Sequence, residues 1–321
     1  MSSQFSSLST RLRMGMFAAG TAAVALLASA CGSSTPVAGS SSSSSAAAGG
    51  SSSSSSPSAA ASGGASASGG AVAAGSSKLL ADAKSGKLIV GIKFDQPGLA
   101  LKKPDGSFAG FDVEVGKYVA KELGVDAGKI EFKESKSAER EGLIERGEVD
   151  YIVATYSITD TRKKKVDFAG PYFVAHQDLL VKKDSTITGP EALGGKILCS
   201  VAGSTSAQKV KDKYAKDAAL QEFNTYSECV EALKTGTVEA VTTDDVILAG
   251  FAAQSPGEFK LVGKGFSDEN YGIGLKKGDT AGKAAINTAI KKMIADGSWK
   301  KALESTVGPS GYKIPTAPTI S

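Results

Sequence analysis

Between Gly32 and Ser77 the chain uses only Gly, Ser, Ala, Thr, Pro and Val. With no charge and no aromatic residue, this stretch has too little apolar surface to offset the entropy lost on folding. Of the 321 residues, the part able to build a core therefore begins at Lys78. That leaves about 240 residues, room for two lobes of ordinary size. As a flexible coil the stretch from Cys31 would reach roughly 35–40 Å, the length of a tether.

Upstream, Arg11 and Arg13 precede an apolar, Ala-rich run from Met14 to Leu27, closed by Ala28-Ser29-Ala30-Cys31. The run is too short to span a bilayer comfortably and ends in small residues, so it predicts an export signal. A cysteine directly after small residues resembles a bacterial lipobox, although Ala28 stands where leucine is usual and Leu27 lies one position earlier. Lipidation of Cys31 is expected, and two acyl chains would give a stable membrane anchor. The alternative is ordinary cleavage that leaves an exported free thiol.

Without the two arginines of the signal, 35 basic residues face 33 acidic ones, a formal charge of +2. No basic block is interleaved with aromatics, so nucleic acid is not indicated as a partner. The run Lys163-Lys164-Lys165 reads as a solvated face. Beyond Cys31 the only cysteines are Cys199 and Cys229. In an oxidising compartment this even pair is expected to form a disulfide that pins a helix to a strand, the alternative being two buried thiols. His176 is the lone histidine and no Cys/His spacing suits zinc, so no metal and no cofactor are expected.

Strand and helix signals alternate from Lys87 onward. Lys87 to Ile92 reads as a strand, Phe111, Val115, Val119 and Leu123 repeat at helical spacing, and Ile130 to Phe132 is a strand. Ala138 to Arg146 reads as a helix and Tyr151 to Ala154 as a buried strand. After a strand at Asp178–Lys182 a second series follows. Its strands are Lys196–Val201, Ala219–Phe223 and Glu239–Val241; its helices are Ala207–Tyr214, Ser227–Leu233 and Val246–Phe251. A strand at Gly272–Leu275 returns toward the first series. A helix carrying Ile286, Ile290, Met293 and Ile294 then ends near Gly297, Trp299 and Leu303 anchor a last helix, and the tail from Pro309 is expected to fray. Such βαβ rhythm implies parallel sheets covered by helices. The expected division is 1–30 signal peptide, 31–77 lipidated cysteine and disordered tether, 78–175 plus 272–321 first lobe, and 176–271 second lobe.

Directly after the strand at Tyr151–Ala154 comes Thr155-Tyr156-Ser157-Ile158-Thr159-Asp160-Thr161-Arg162. It offers hydroxyls and a planar guanidinium fork, donors suited to a carboxylate, with no nucleophile paired to a base. In open α/β sheets, ligands bind beyond the carboxyl ends of strands, where helix N-termini meet them.

From about Leu88 to Val307 the chain resembles the family 3 extracellular solute-binding proteins of ABC importers, and among them the actinobacterial glutamate-binding lipoproteins. The matching segments are Val90-Gly91-Ile92-Lys93-Phe94-Asp95, Gly110-Phe111-Asp112-Val113-Glu114, Ser157 to Arg162, Ala202-Gly203-Ser204-Thr205 and Thr243-Asp244-Asp245. The resemblance implies an α/β, two-lobe periplasmic-binding-protein type II fold with two hinge crossings. It also implies a ligand site. Arg162 would grip the α-carboxylate; its competing role is a surface pair with Asp160 or Asp167. Thr155 and Ser157 would contact the amino and carboxylate ends, Thr205 would open a helix facing the anion, and Asp244 would meet the α-ammonium while Asp245 caps the next helix. At the side-chain end, Ser137 and Arg140 resemble the Ser-x-x-Arg element of acidic-amino-acid binders, unless Arg140 pairs Glu141 or Glu145. Lys93 stands where relatives carry arginine, unless it is solvated, and Tyr226 lines the pocket in some relatives.

The expected protein is a monomeric, lipid-anchored binder on the extracytoplasmic face of the membrane. It would capture an acidic amino acid, glutamate first and aspartate or glutamine behind it, and deliver it to ABC permease subunits. With no G-x-x-x-x-G-K-[ST] loop, it would not hydrolyse ATP. Two other readings stand beside this one: a sensor subunit signalling to a membrane kinase, and a dehydratase-type enzyme on the same fold with Asp112 or Glu114 as acid/base.

Overall fold

The computed structural model describes residues 77–320. The signal segment, Cys31 and the tether through residue 76 lie outside the described residues. The first series comprises α1 (Lys78–Lys84), β1 (Leu88–Ile92), the short strands β2 (Asp95–Gln96), β3 (Ala100–Lys102) and β4 (Phe108–Ala109), and α2 (Phe111–Glu122). It continues with β5 (Ile130–Glu134), α3 (Arg140–Glu145), β6 (Tyr151–Ile152) and α4 (Asp160–Lys163). A long strand, β7 (Val166–Lys182), leads into β8 (Ile197–Val201), α5 (Ser206–Lys213), β9 (Ala219–Phe223) and α6 (Tyr226–Thr235). β10 (Ala240–Asp244), α7 (Asp245–Gln254) and β11 (Phe259–Leu261) complete that series. β12 (Asp268–Lys276) returns to the first, and α8 (Thr280–Ala295) and α9 (Ser298–Thr306) follow.

The main sheet has the order β5-β1-β6-β12-β7-β10-β8-β9, with β11 also on β7; β2, β3 and β4 form a small sheet of their own. β1 pairs in parallel with β5 and β6, and β8 in parallel with β9 and β10, so each series builds its own βαβ half. The two halves are joined by β7 and β12, which pair antiparallel from Val166↔Lys276 to His176↔Asp268. The protein is thus a two-lobe α/β fold of type II, with two crossings between the lobes.

The alternation of apolar residues places the core where the pattern predicts. Leu88, Val90 and Ile92 are buried on β1, and Val115 and Val119 on the α2 face above it. Phe111 meets Phe173 at 5.8 Å and Trp299 edge-on at 6.1 Å, and the Trp299 indole donates to the Tyr172 carbonyl at 2.8 Å. α6 starts with a reciprocal capping box between Thr225 and Glu228 and stops at Gly236 in the left-handed region. Cys199 on β8 and Cys229 on α6 form a disulfide with Cα atoms 5.7 Å apart, pinning helix to strand.

Two sequence readings need correction. β7 runs unbroken for 17 residues, where strand was expected only over its later part, from near Val174 to Lys182. Gly170-Pro171 looks like a strand break, but β12 shifts register between Tyr271 and Ile273 there, and a bulge tolerates a residue without an N–H. The tail beyond Pro309 does not fray. Tyr312 lies 6.5 Å from the Phe173 ring and donates to Asp245 Oδ2 at 3.0 Å, and Ile314, Ala317 and Ile320 are half-buried against the core. Enough apolar side chains recur along the tail to hold it down.

Candidate ligand-binding site

β6 ends at Ile152, and the chain then turns sharply through Thr155, the one non-glycine among the described residues with positive φ (+46°). Buried Asp112 supports this turn: one oxygen accepts the Thr155 N–H at 2.8 Å and the other the Tyr172 hydroxyl at 2.8 Å. Both carboxylate oxygens are thus engaged inside the lobe, and burial pushes the Asp112 pKa up to about 6. The Thr155 hydroxyl donates to the Ala154 carbonyl and accepts from the Gln96 amide at 3.2 Å. Beyond it Ser157 pairs opposite Tyr271 of β12.

Thr159 caps α4 by accepting the Arg162 N–H at 3.2 Å, which sets the arginine one turn into the helix with its side chain in the interlobe cleft. Arg162 is 7% exposed. Its Nη1 donates to the Ser157 carbonyl at 2.8 Å and its Nη2 to the Gly203 carbonyl across the cleft at 3.0 Å, while Nε lies 3.5 Å from Glu141. One N–H remains on each terminal nitrogen, a fork for an anion. The competing partners are taken: Asp160 pairs Lys163 and Asp167 pairs Lys277.

Arg140, buried at the start of α3, donates from Nη2 to Ser137 Oγ at 3.3 Å, while its Nε has no hydrogen-bond partner among the described residues. It makes no ion pair with Glu141 or Glu145; burial first, then Arg162, holds its pKa below the usual guanidinium value. Lys93 is not solvated. It is 1% exposed, stands 5.8 Å from the centre of the Tyr226 ring, and its Nζ has no partner among the described residues. Burial, then the Arg140 charge, pulls its pKa down to about 7.

The second lobe supplies the remaining wall. Asp244 closes β10 at the mouth of α7; Oδ2 accepts the Tyr271 hydroxyl at 2.5 Å and Oδ1 is unpaired. Burial, then nearby Glu269, pushes its pKa up to about 7. Asp245 turns away, accepting the N–H groups of Val246 and His176; it is the first residue of α7, whose N-cap is Asp244 and which has no side-chain cap, so the capping role expected of Asp245 is not seen. Thr205, at the start of α5, accepts from the Gln177 amide at 3.2 Å and lies 3.4 Å from Glu269. The amides of that first turn have no side-chain cap.

Eight of the nine residues expected at the ligand line one small cavity: Ser137, Arg140, Thr155, Ser157, Arg162, Thr205, Tyr226 and Asp244. Ser204, Ser206, Thr243 and Ile247 complete it, and Lys93 stands behind Tyr226, off the lining. A larger groove between α2, α8 and α9 holds none of the unpaired buried polar atoms. Sequence reasoning missed Glu269, which is 2% exposed, pairs Lys209 and accepts from Ser267 at 3.0 Å. The two-residue period from buried Tyr271 back along β12 was the signal that places it inward.

Residues 88–308 match the bacterial extracellular solute-binding proteins, family 3. The chain belongs to that family. It is 49% identical over 246 residues to the glutamate-binding protein GluB of Corynebacterium glutamicum, covering 73% of this chain and 83% of the relative. It is 44% identical over 223 residues to the ABC transporter glutamine-binding protein GlnH of Bacillus subtilis, covering 69% and 81%. Among solved structures, an ancestral arginine-binding protein bound to glutamine matches at TM-score 0.65 and 38% identity, over 70% of this chain and 98% of that one. The solute receptor for L-cysteine of Neisseria gonorrhoeae matches at TM-score 0.70 and 28% identity, over 76% and 99%. The family is extracellular, and no helix among the described residues is long and apolar enough to cross a membrane.

Proposed function

We propose that the chain is the capture subunit of an amino-acid ABC importer, with L-glutamate as its first ligand and aspartate or glutamine as competitors. The carrying observation is the distribution of unpaired charge around one cavity. Asp244 keeps an unpaired oxygen on one side; on the other, Arg162 has an N–H left on each terminal nitrogen and Arg140 makes no ion pair among the described residues. A zwitterion with a second carboxylate meets each of these needs, and a buried charge left unmatched is costly. Arg162 and Ser157 would take the α-carboxylate, with Thr155 and Thr205 beside them; Asp244 would take the α-ammonium. Arg140 and Ser137, backed by Lys93 and Tyr226, would take the distal carboxylate.

Because the two lobes supply different ends of this set, the ligand bridges them and stabilises the closed form. Closed protein then presents itself to the permease, held near it by the lipid on Cys31 and the tether. The names of its relatives support either a glutamate or a glutamine ligand. The cation pair favours the acid. The carboxylates considered as acid/base groups weigh against catalysis: Asp112 is spent on Thr155 and Tyr172, and Glu114 pairs Lys117. Calorimetry of the purified protein with a panel of amino acids tests the reading. Glutamate should bind most tightly and be recovered unchanged; tighter binding of glutamine, or turnover of the bound ligand, would sink it.

A further inference from the structure

Tyr156 lies in sequence between Thr155 and Ser157, yet it lines no part of the cavity. Its side chain is fully buried, with the Phe168 ring edge-on to it at 4.8 Å. The space it occupies exists because position 274 is glycine: a Cβ there would stand 2.7 Å from Tyr156 Cε1. The Cζ of Arg140 is 4.8 Å from the centre of this ring and the Cζ of Arg162 is 5.0 Å from it. The two guanidiniums come from separate elements, α3 and α4, and repel one another. Among the described residues the Arg140 side chain has a single hydrogen bond, to Ser137, to hold it in place. An aromatic face is electron-rich, attracts a cation, and is itself rigid.

We propose that Tyr156 is a positioning residue for ligand recognition: a shared aromatic seat that fixes both guanidiniums, and with them the separation between the groups that take the two carboxylates of the ligand. It would thereby select the ligand by the charge at its far end and by its length. The inference rests on the dicarboxylate reading above for its choice of ligand, but not for the seat itself.

The test uses the full-length protein and calorimetry with glutamate, aspartate and glutamine. Wild type is compared with Tyr156→Phe, Tyr156→Leu, Tyr156→Met, Arg140→Ala and the double variant Arg140→Ala/Tyr156→Leu, with a melting temperature for each. Tyr156→Phe keeps the ring and should bind glutamate within about threefold of wild type, whereas Leu and Met should weaken it at least about tenfold. Glutamine should lose less than glutamate in those same variants, because Arg162, which serves both ligands, is also held by Ser157, Gly203 and Glu141. In the Arg140→Ala background, Tyr156→Leu should cost glutamate far less than it does alone, because the group it positions is gone. Phe as damaging as Leu, equal losses for glutamate and glutamine, or additive losses in the double variant would overturn the seat. If Leu does not fold, Met carries the same comparison. Should wild type itself prefer glutamine, the dicarboxylate reading falls on that result alone. The seat is then judged on glutamine by the Phe/Leu contrast and the non-additivity.

Discussion

Asp95 of β2 accepts the backbone N–H of Tyr226 at 2.9 Å, so a carboxylate of one lobe caps the first turn of a helix in the other. The Ser227 N–H points to the same oxygen at 3.3 Å. Opening of the cleft would separate these partners. A helix cap is worth about 1 kcal/mol, so Asp95→Ala should weaken ligand binding about fivefold by depopulating the closed state. Small-angle scattering of the ligand-saturated variant checks the cause: a larger radius than wild type is expected.

Gly203 is the counterpart on the other side of the cleft. A Cβ there would lie 2.7 Å from the Ala138 Cα and 2.8 Å from its nitrogen, and the residue has φ +76°. Backbone atoms cannot swing aside as a side chain does. Gly203→Ala should fold, with a melting temperature lowered by a few degrees, and lose about tenfold or more in affinity because the lobes stop short. Near-wild-type affinity would show that closure does not bring Gly203 onto Ala138.

Arg162 and Arg140 should separate by ligand. Arg162→Ala removes a charged fork common to all amino acids and should cost about a hundredfold for every ligand in the panel. Arg140→Ala should cost glutamate about thirtyfold and glutamine about threefold or less. A parallel loss for both ligands in the second variant would remove the acidic pocket.

The pH profile follows from two buried groups of opposite sign. Asp244 has its pKa raised to about 7, so at lower pH it is protonated and must release a proton to meet the ligand ammonium. Lys93 has its pKa lowered to about 7, so at higher pH it is neutral and must take up a proton to face a carboxylate. Glutamate affinity should therefore peak near neutrality and fall on both sides. Asp244→Asn should flatten the acid limb of the profile, and Lys93→Met the alkaline limb. Calorimetry across pH measures both.

The disulfide closes a loop spanning 30 residues between Cys199 and Cys229. Loop-closure entropy of that size is on the order of 3–4 kcal/mol. A Cys199→Ser/Cys229→Ser variant should melt about 10 °C lower and still bind ligand, since neither sulfur lines the cavity.

What the sequence made legible was whatever one lobe specifies alone. Apolar runs located β1, β5, β8 and β9, and Arg162 stood out because hydroxyls precede it after a buried strand. Groups set by the other lobe or by the far end of the chain were hidden. Nothing near Lys93 announces that Tyr226, some 130 positions on, will cover it. The same holds for Tyr312, whose partner Asp245 belongs to another lobe. Glu269 is another case, since Lys209, which neutralises it, comes from α5.

The two crossings are hydrogen-bonded to each other along almost their whole length, from Val166 beside Lys276 to His176 beside Asp268. A paired ribbon flexes easily out of its own plane and resists shear, because sliding one strand along the other breaks the ladder between them. Opening is therefore confined to one soft direction, like a cover on its spine. The two faces would then arrive in register each time, and a partner that recognises the shut form would meet a single geometry in place of a continuum of half-aligned ones.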